Sequence, residues 1–278
     1  MNPNIRPPAV AGLFYSDKKM ELDREVAVYL ENAPQIEING RVIGMVAPHA
    51  GYMYSGGVAA RAYRQLLDLD IDVVAVIAPS HREYFTEISI FDGFAYATPL
   101  GTIEIHRGLA QELADINPQI ILSEKGHRFE EHALEVQLPF LQKVLVKFKL
   151  IPIIMGEHSS DNIETLAQAL ATALRDQKAL IVASSDLSHF YNAAKAETMD
   201  HLVRDKISGF AEDELFNELR AGKCEMCGGG PVVACMKASK LLGADKSKTL
   251  LYRHSGDITG DRSEVVGYLS ALFYQEKD

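Results

Sequence analysis

The chain has 278 residues, 47% of them apolar, enough to bury a sizeable core in one large α/β domain or two smaller ones. A net charge of −10 argues against nucleic acid as a partner, because a nucleic-acid binder usually carries a basic patch or stripe. No apolar run approaches the roughly 20 residues that span a bilayer. The N-terminus MNPNIRPPAV lacks the charged-then-apolar order of a secretory signal, and three cysteines make no disulfide framework, so the expectation is a reducing cytoplasm and no membrane.

The N-terminal arm through Tyr15 carries three prolines and reads as extended chain. Residues 17–32 follow as a helix, with Leu22, Val26 and Leu30 on one face. From there strand and helix alternate. An apolar strand at 42–47 precedes a helix at 57–67 with Ser55 as its cap. Strands at 73–78 and 88–91, a helix at 106–116 and a strand at 120–122 come next. Leu134, Leu138, Leu141 and Leu145 have helical spacing, so 131–147 reads as a helix that Pro139 should kink. A strand at 150–155 leads to a helix at 162–176, which Asp161 and Glu164 start. A strand at 180–183, helices at 193–207 and 212–221, and a helix opened by Gly228-Gly229-Gly230-Pro231 and running to Leu242 follow. Strands near 249–252 and 265–273 close the chain. Strands alternating with helices predict a central, mostly parallel sheet covered on both faces, in one domain (residues 1–278); a boundary near residue 155 is the alternative.

Five of the nine histidines stand just past an apolar strand: His49, His81, His158, His189 and His254. In open α/β sheets ligands bind beyond the carboxyl ends of the strands, and imidazole is the commonest metal ligand. His49 and His81 share the tightest context, each after a proline-containing turn (APHAG, APSH) and one strand–helix–strand unit apart. If their strands are neighbours, about 4.8 Å apart, both rings can reach one ion. Hydrogen bonding to a loop is the plainer role for each.

Cys224-Glu225-Met226-Cys227 is a C-x-x-C without a second pair, which disfavours a zinc ribbon. Cys227 stands just before the predicted helix start, where backbone N–H groups favour a thiolate, a metal ligand or nucleophile. Cys235 falls inside the helix and reads as core; Cys224 is open. Asp186, three residues before His189, can orient that ring for acid–base work. Ser184 and Ser185 beside His189 could be read as nucleophiles, but no G-x-S-x-G elbow surrounds them. His132 and Glu135 share a face at i, i+3 of the predicted helix, a spacing that suits a metal shell or proton relay, while Glu130 complements the helix dipole. The glycines match neither a dinucleotide fingerprint nor a Walker loop. Phe14, Tyr15, Tyr52 and Tyr54 could line an aromatic pocket.

Taken together, RPPAVAGLFYS, APHAGYMYSG, APSH, EEHALEVQLPFLQ, SSDLSHF and MCGGGPV resemble the Memo family, also called AmmeMemoRadiSam system protein B; the closing HSGD and VVGYLSALF also fit. That family is similar in fold to class III extradiol dioxygenases. The resemblance implies a single α/β domain and a metal ion held by His49, His81 and Cys227, with His189 as acid–base residue beside Asp186. The dioxygenases complete their iron site with a carboxylate, and the resemblance implies a thiolate in its place here. The expected ion is Fe(II), with copper or zinc as alternatives. Three functions follow as expectations: a non-haem metal oxidoreductase with His132 and Glu135 around its centre, a module binding a small molecule or peptide in the same pocket, or a metal-dependent hydrolase. The family's co-occurrence with a radical-SAM protein suggests a pathway partner.

Overall fold

A computed structural model describes residues 4–128 and 130–277; the first three residues of the N-terminal arm lie outside the described residues. In chain order the elements are β1 (Ile5–Arg6), α1 (Lys19–Glu31), β2 (Gly40–Ala47), α2 (Tyr52–Tyr63), β3 (Val73–Pro79), β4 (Ile88–Phe91), β5 (Ala95–Thr98), β6 (Gly101–Glu104), α3 (Arg107–Ile116), β7 (Ile120–Ser123) and α4 (Leu138–Val144). They continue with β8 (Lys149–Met155), α5 (Ser160–Ala173), β9 (Ala179–Ser184), β10 (His189–Tyr191), α6 (Ala193–Ser208), α7 (Glu212–Arg220), α8 (Gly229–Leu241), β11 (Lys246–His254), α9 (Gly256–Thr259) and β12 (Val265–Glu276).

The central sheet runs β10-β12-β2-β9-β3-β8-β4-β7, with β11 added on β12. Its middle strands β2, β9, β3 and β8 are parallel, as expected. The flanks are not: β12 pairs antiparallel with β2, β10 and β11, and β4 pairs antiparallel with β8, so the whole is mixed. The short α9 connection returns β11 directly into β12, and short connections favour antiparallel partners. Every residue of β3 is buried, which requires cover on both faces. One contiguous apolar core joins the sheet to α1, α2, α5 and α8. A small sheet of β1, β5 and β6 ties the N-terminal arm to the body. No helix among the described residues is long and apolar enough to cross a membrane.

Three local expectations change. α2 starts at Tyr52 rather than at residue 57, and Ser55 bonds the Ala50 carbonyl from inside its first turn. The helix expected over 131–147 is a turn, a 3₁₀ segment at Glu135–Gln137 and then α4. Pro139 kinks nothing, because it occupies the first turn of α4, where its missing N–H has no partner to lose. His49 and His81 do not leave adjacent strands, since β9 lies between β2 and β3.

Candidate metal centre

β2, β3 and β9 end at one edge of the sheet, and the chain beyond each end supplies part of the site. His49 and His81 start two strand spacings apart, about 9.6 Å, yet their ring centroids are 5.2 Å apart at 79°. Both loops turn inward over the end of β9, which puts Ser184 and Asp186 beneath them. The N-terminus of α8 closes the third side. A Cβ at Gly228 would lie 2.3 Å from the Ser184 carbonyl oxygen, so only glycine lets the chain after Cys227 approach β9 this closely.

Hydrogen bonds fix which nitrogen of each ring is free. The Ser184 hydroxyl donates to the Ala133 carbonyl (2.6 Å) and accepts from Gln137 Nε2 (2.7 Å), so its contact with His49 Nδ1 (2.8 Å) needs the proton on the ring. His81 Nδ1 donates to the Glu131 carboxylate at 3.0 Å. With its proton held on Nδ1, either ring in its neutral form presents a bare Nε2, the tautomer that a carboxylate- or hydroxyl-anchored metal histidine requires. His49 Nε2 lies 3.2 Å from Cys227 Sγ. The sulfur accepts the Asp186 backbone N–H at 3.2 Å. Candidate ligand atoms of His49, His81 and Cys227 all lie within 4.8 Å of one another. Two imidazole nitrogens and a sulfur at this separation fit one ion with bonds of about 2.0–2.3 Å.

Burial, with His81 close by, holds the His49 ring neutral, well below the usual histidine range. Burial also pushes the Cys227 thiol up to about 12, with the Asp186 carboxylate adding to it. The helix N-terminus therefore does not make Cys227 a thiolate by itself, as the sequence suggested; an ion would supply that charge. Burial works against the charge of Glu131, but hydrogen bonds from the His81 ring and backbone outweigh it and bring the carboxylate to about 2.

His132 joins the cluster. Its ring stacks on His81 (4.8 Å, 20°), lies 5.4 Å from His49 and packs on Phe14 at 4.7 Å. Burial, then His49, pulls its pKa down to about 4. Glu135 is not beside it. The turn at 131–134 breaks the shared helical face, and Glu135 points into a buried network of Arg6, Tyr15 and the Ala9 and Val10 N–H groups. Asp186 is near His189, but its carboxylate accepts the His49 backbone N–H at 2.8 Å, and no hydrogen bond joins it to His189 among the described residues. Asp186 thus braces the His49 loop rather than the His189 ring, and burial raises its pKa. Ser184 is an anchor, not a nucleophile.

His189 opens β10 and, with Cys227, lines a cleft of about 430 Å³ walled by Leu187, Phe216, Leu219 and Met226. His158 and Cys224 also line it. His254 lies apart, at the end of β11 beside Glu197 and Arg262. Cys235 is buried core in α8. Tyr52 is core too, whereas Phe14, Tyr15 and Tyr54 border a separate cavity of about 500 Å³. Sequence reasoning missed Glu131 and the anchoring role of Ser184. Glu131 reaches His81 across 50 positions, and no local spacing marks such a pair.

An α/β sheet whose parallel centre ends in two oriented imidazoles and a sulfur defines a protein with a candidate metal site at the carboxyl edge of its strands. Memo-like proteins match it over residues 6–272, and the chain belongs to the Memo family. A MEMO1 family protein of Methanothermobacter thermautotrophicus is 37% identical over 273 residues, covering 95% of this chain and 98% of the relative. One of Methanobrevibacter smithii is 36% identical over 281 residues, covering 97% and 99%. The crystal structure of uncharacterized protein JW3007 from Escherichia coli K12 shares the fold, with a TM-score of 0.55 at 14% identity over 84% of this chain and 99% of that one.

Proposed function

We propose that this protein is a metal-dependent oxidoreductase, dioxygenase-like in architecture, that acts on a small organic molecule or peptide group held in the cleft beside Cys227. The observation that carries the reading is the convergence of His49, His81 and Cys227 with the Nδ1 of each ring engaged away from the shared centre. These three residues would hold the ion, Fe(II) first, with copper or zinc as alternatives that a soft thiolate also suits. Such an ion would supply Lewis acidity and, as iron or copper, one-electron chemistry with dioxygen or substrate. The chain's own residues do the rest. Ser184 and Glu131 keep the two rings in the required tautomer. Leu187, Phe216, Leu219 and Met226 exclude water from a bound apolar body. His189, at the cleft wall, takes or returns a proton on the substrate.

The test is metal analysis of anaerobically purified protein beside His49→Ala and Cys227→Ala, together with oxygen consumption over a panel of phenols and thiols. Stoichiometric iron or copper in the wild type alone, with substrate-dependent oxygen uptake, is expected. Equal metal in all three proteins defeats the reading. A binding role without turnover is the second reading, favoured by Phe190, 70% exposed next to His189. Peptide binding that is indifferent to metal, including to a segment of a radical-SAM partner, would support it instead.

A further inference from the structure

We propose that His81, Glu131 and His132 form a second cation position that shares His81 with the thiolate centre, so that the site takes two ions side by side. This goes beyond the redox reading and does not require it. Candidate ligand atoms of the three residues lie within 4.8 Å of one another. Glu131 Oε1 is 3.0 Å from His81 Nδ1 and 3.8 Å from His132 Nδ1. With bonds of about 2.0–2.2 Å, two ligands of one ion stand about 2.9 Å apart at a right angle and about 4.2 Å apart across it. Both separations fall inside that range.

The second observation is an unpaired atom. His132 Nδ1 is buried and has no hydrogen-bond partner among the described residues. Its ring is held by stacking on His81 and contact with Phe14, so it cannot turn freely to find one. An unpaired buried nitrogen is unfavourable, and a cation between it and Glu131 would remove that penalty. Both Glu131 oxygens are already positioned by backbone N–H groups of His81, His132 and Ala133, so the carboxylate is fixed before any ion arrives.

The two positions differ in chemistry. One offers sulfur and nitrogen; the other offers two nitrogens and a carboxylate, which suits a harder divalent ion. His81 would serve both, Nε2 toward Cys227 and Nδ1 toward Glu131. Taking the second ion then displaces the proton that Nδ1 now donates to Glu131, one proton released per second ion bound. A thiolate, a carboxylate and a shared imidazolate, with the buried Asp186 beneath, offset most of the charge of two dications.

The experiment is a Co²⁺ titration of metal-free protein, read by bound ion per chain, by the sulfur-to-cobalt charge-transfer band and by the d–d bands. Wild type should saturate at two ions. Cys227→Ser should bind one, without the charge-transfer band but with d–d bands. His132→Phe should bind one and keep the charge-transfer band; His132→Gln, checked by circular dichroism, guards against a packing defect in the first variant. A wild type that saturates at one ion with the charge-transfer band overturns this inference and leaves the thiolate centre intact. A wild type that binds no Co²⁺ removes both.

Discussion

Removing the Glu135 carboxylate should unfold part of the protein rather than silence its chemistry. Arg6 and Glu135 form a buried ion pair at 2.5 Å, their side chains 6% and 0% exposed. The same carboxylate accepts the Ala9 N–H (2.7 Å), the Val10 N–H (3.0 Å) and the Tyr15 hydroxyl (2.5 Å). Glu135→Ala leaves the Arg6 charge buried and unpaired, which destabilises by about 3–5 kcal/mol. Three stranded neutral donors, worth about 1 kcal/mol each, should carry the loss beyond that range. Arg6 also donates to the Glu131 and His127 carbonyls, so the damage should spread to the turn that carries Glu131 and His132. Urea unfolding gives the stability directly. The paired variant Arg6→Met/Glu135→Leu should be more stable than Glu135→Ala, because it removes both charges together, while staying below the wild type because the Ala9, Val10 and Tyr15 donors remain unpaired. A loss under about 1 kcal/mol for Glu135→Ala would refute the anchoring argument. Unchanged stability with abolished turnover would return Glu135 to the proton relay that its sequence position suggested.

Acid should weaken the metal-free protein well before carboxylates titrate. Burial pulls His127 down to about 3, against about 6.5 when unfolded, so the unfolded chain binds the extra proton between those values. Its contribution is complete above pH 6.5 and decays as pH falls toward 3, by about 1.4 kcal/mol per unit. His132 and His158, both near 4, act in the same direction, and a urea midpoint that stays flat from pH 7 to 5 would contradict this. Ser184→Ala frees the His49 ring and should weaken metal binding about 10- to 100-fold, as lost outer hydrogen bonds to metal histidines do; equilibrium dialysis that gives the wild-type constant would count against it. Phe190 sits at φ 63°, a conformation that disfavours a side chain by about 1–2 kcal/mol, and it is largely exposed. Phe190→Gly should therefore gain about 0.5–1 kcal/mol; a lowered melting temperature would mean that its ring packing outweighs the strain.

What the chain reveals of itself follows the range of the forces involved. β2, β3, β8 and β9 are apolar runs closed by turn residues, and local pattern is enough to find them. β1 and β10 are two and three residues long, and β5 (AYAT) and β6 (GTIE) lack the apolar run that marks β4 (ISIF) at the same length; each exists because a neighbour pairs with it. Residues 131–147 misled for a related reason. The leucine spacing is real and continues through the 3₁₀ turn into α4, but Glu131 is drawn out of the helix by hydrogen bonds to His81.

The candidate site divides in the same way. That His49 and His81 stand past strand ends is local, and the sequence carries it. That the rings meet is not local. A strand more than a hundred residues downstream of β2 enters between β2 and β3, and its last residue, Ser184, sets the His49 tautomer. Adjacent strands would have brought the rings close with nothing beneath them. With β9 inserted, the loops must lean inward across it, and the same strand end supplies the hydroxyl under His49, the carboxylate under its backbone and the N–H that meets Cys227. The geometry of the candidate site is therefore a property of the strand order, and a substitution that shifts β9 along its neighbours should disturb His49, His81 and Cys227 together.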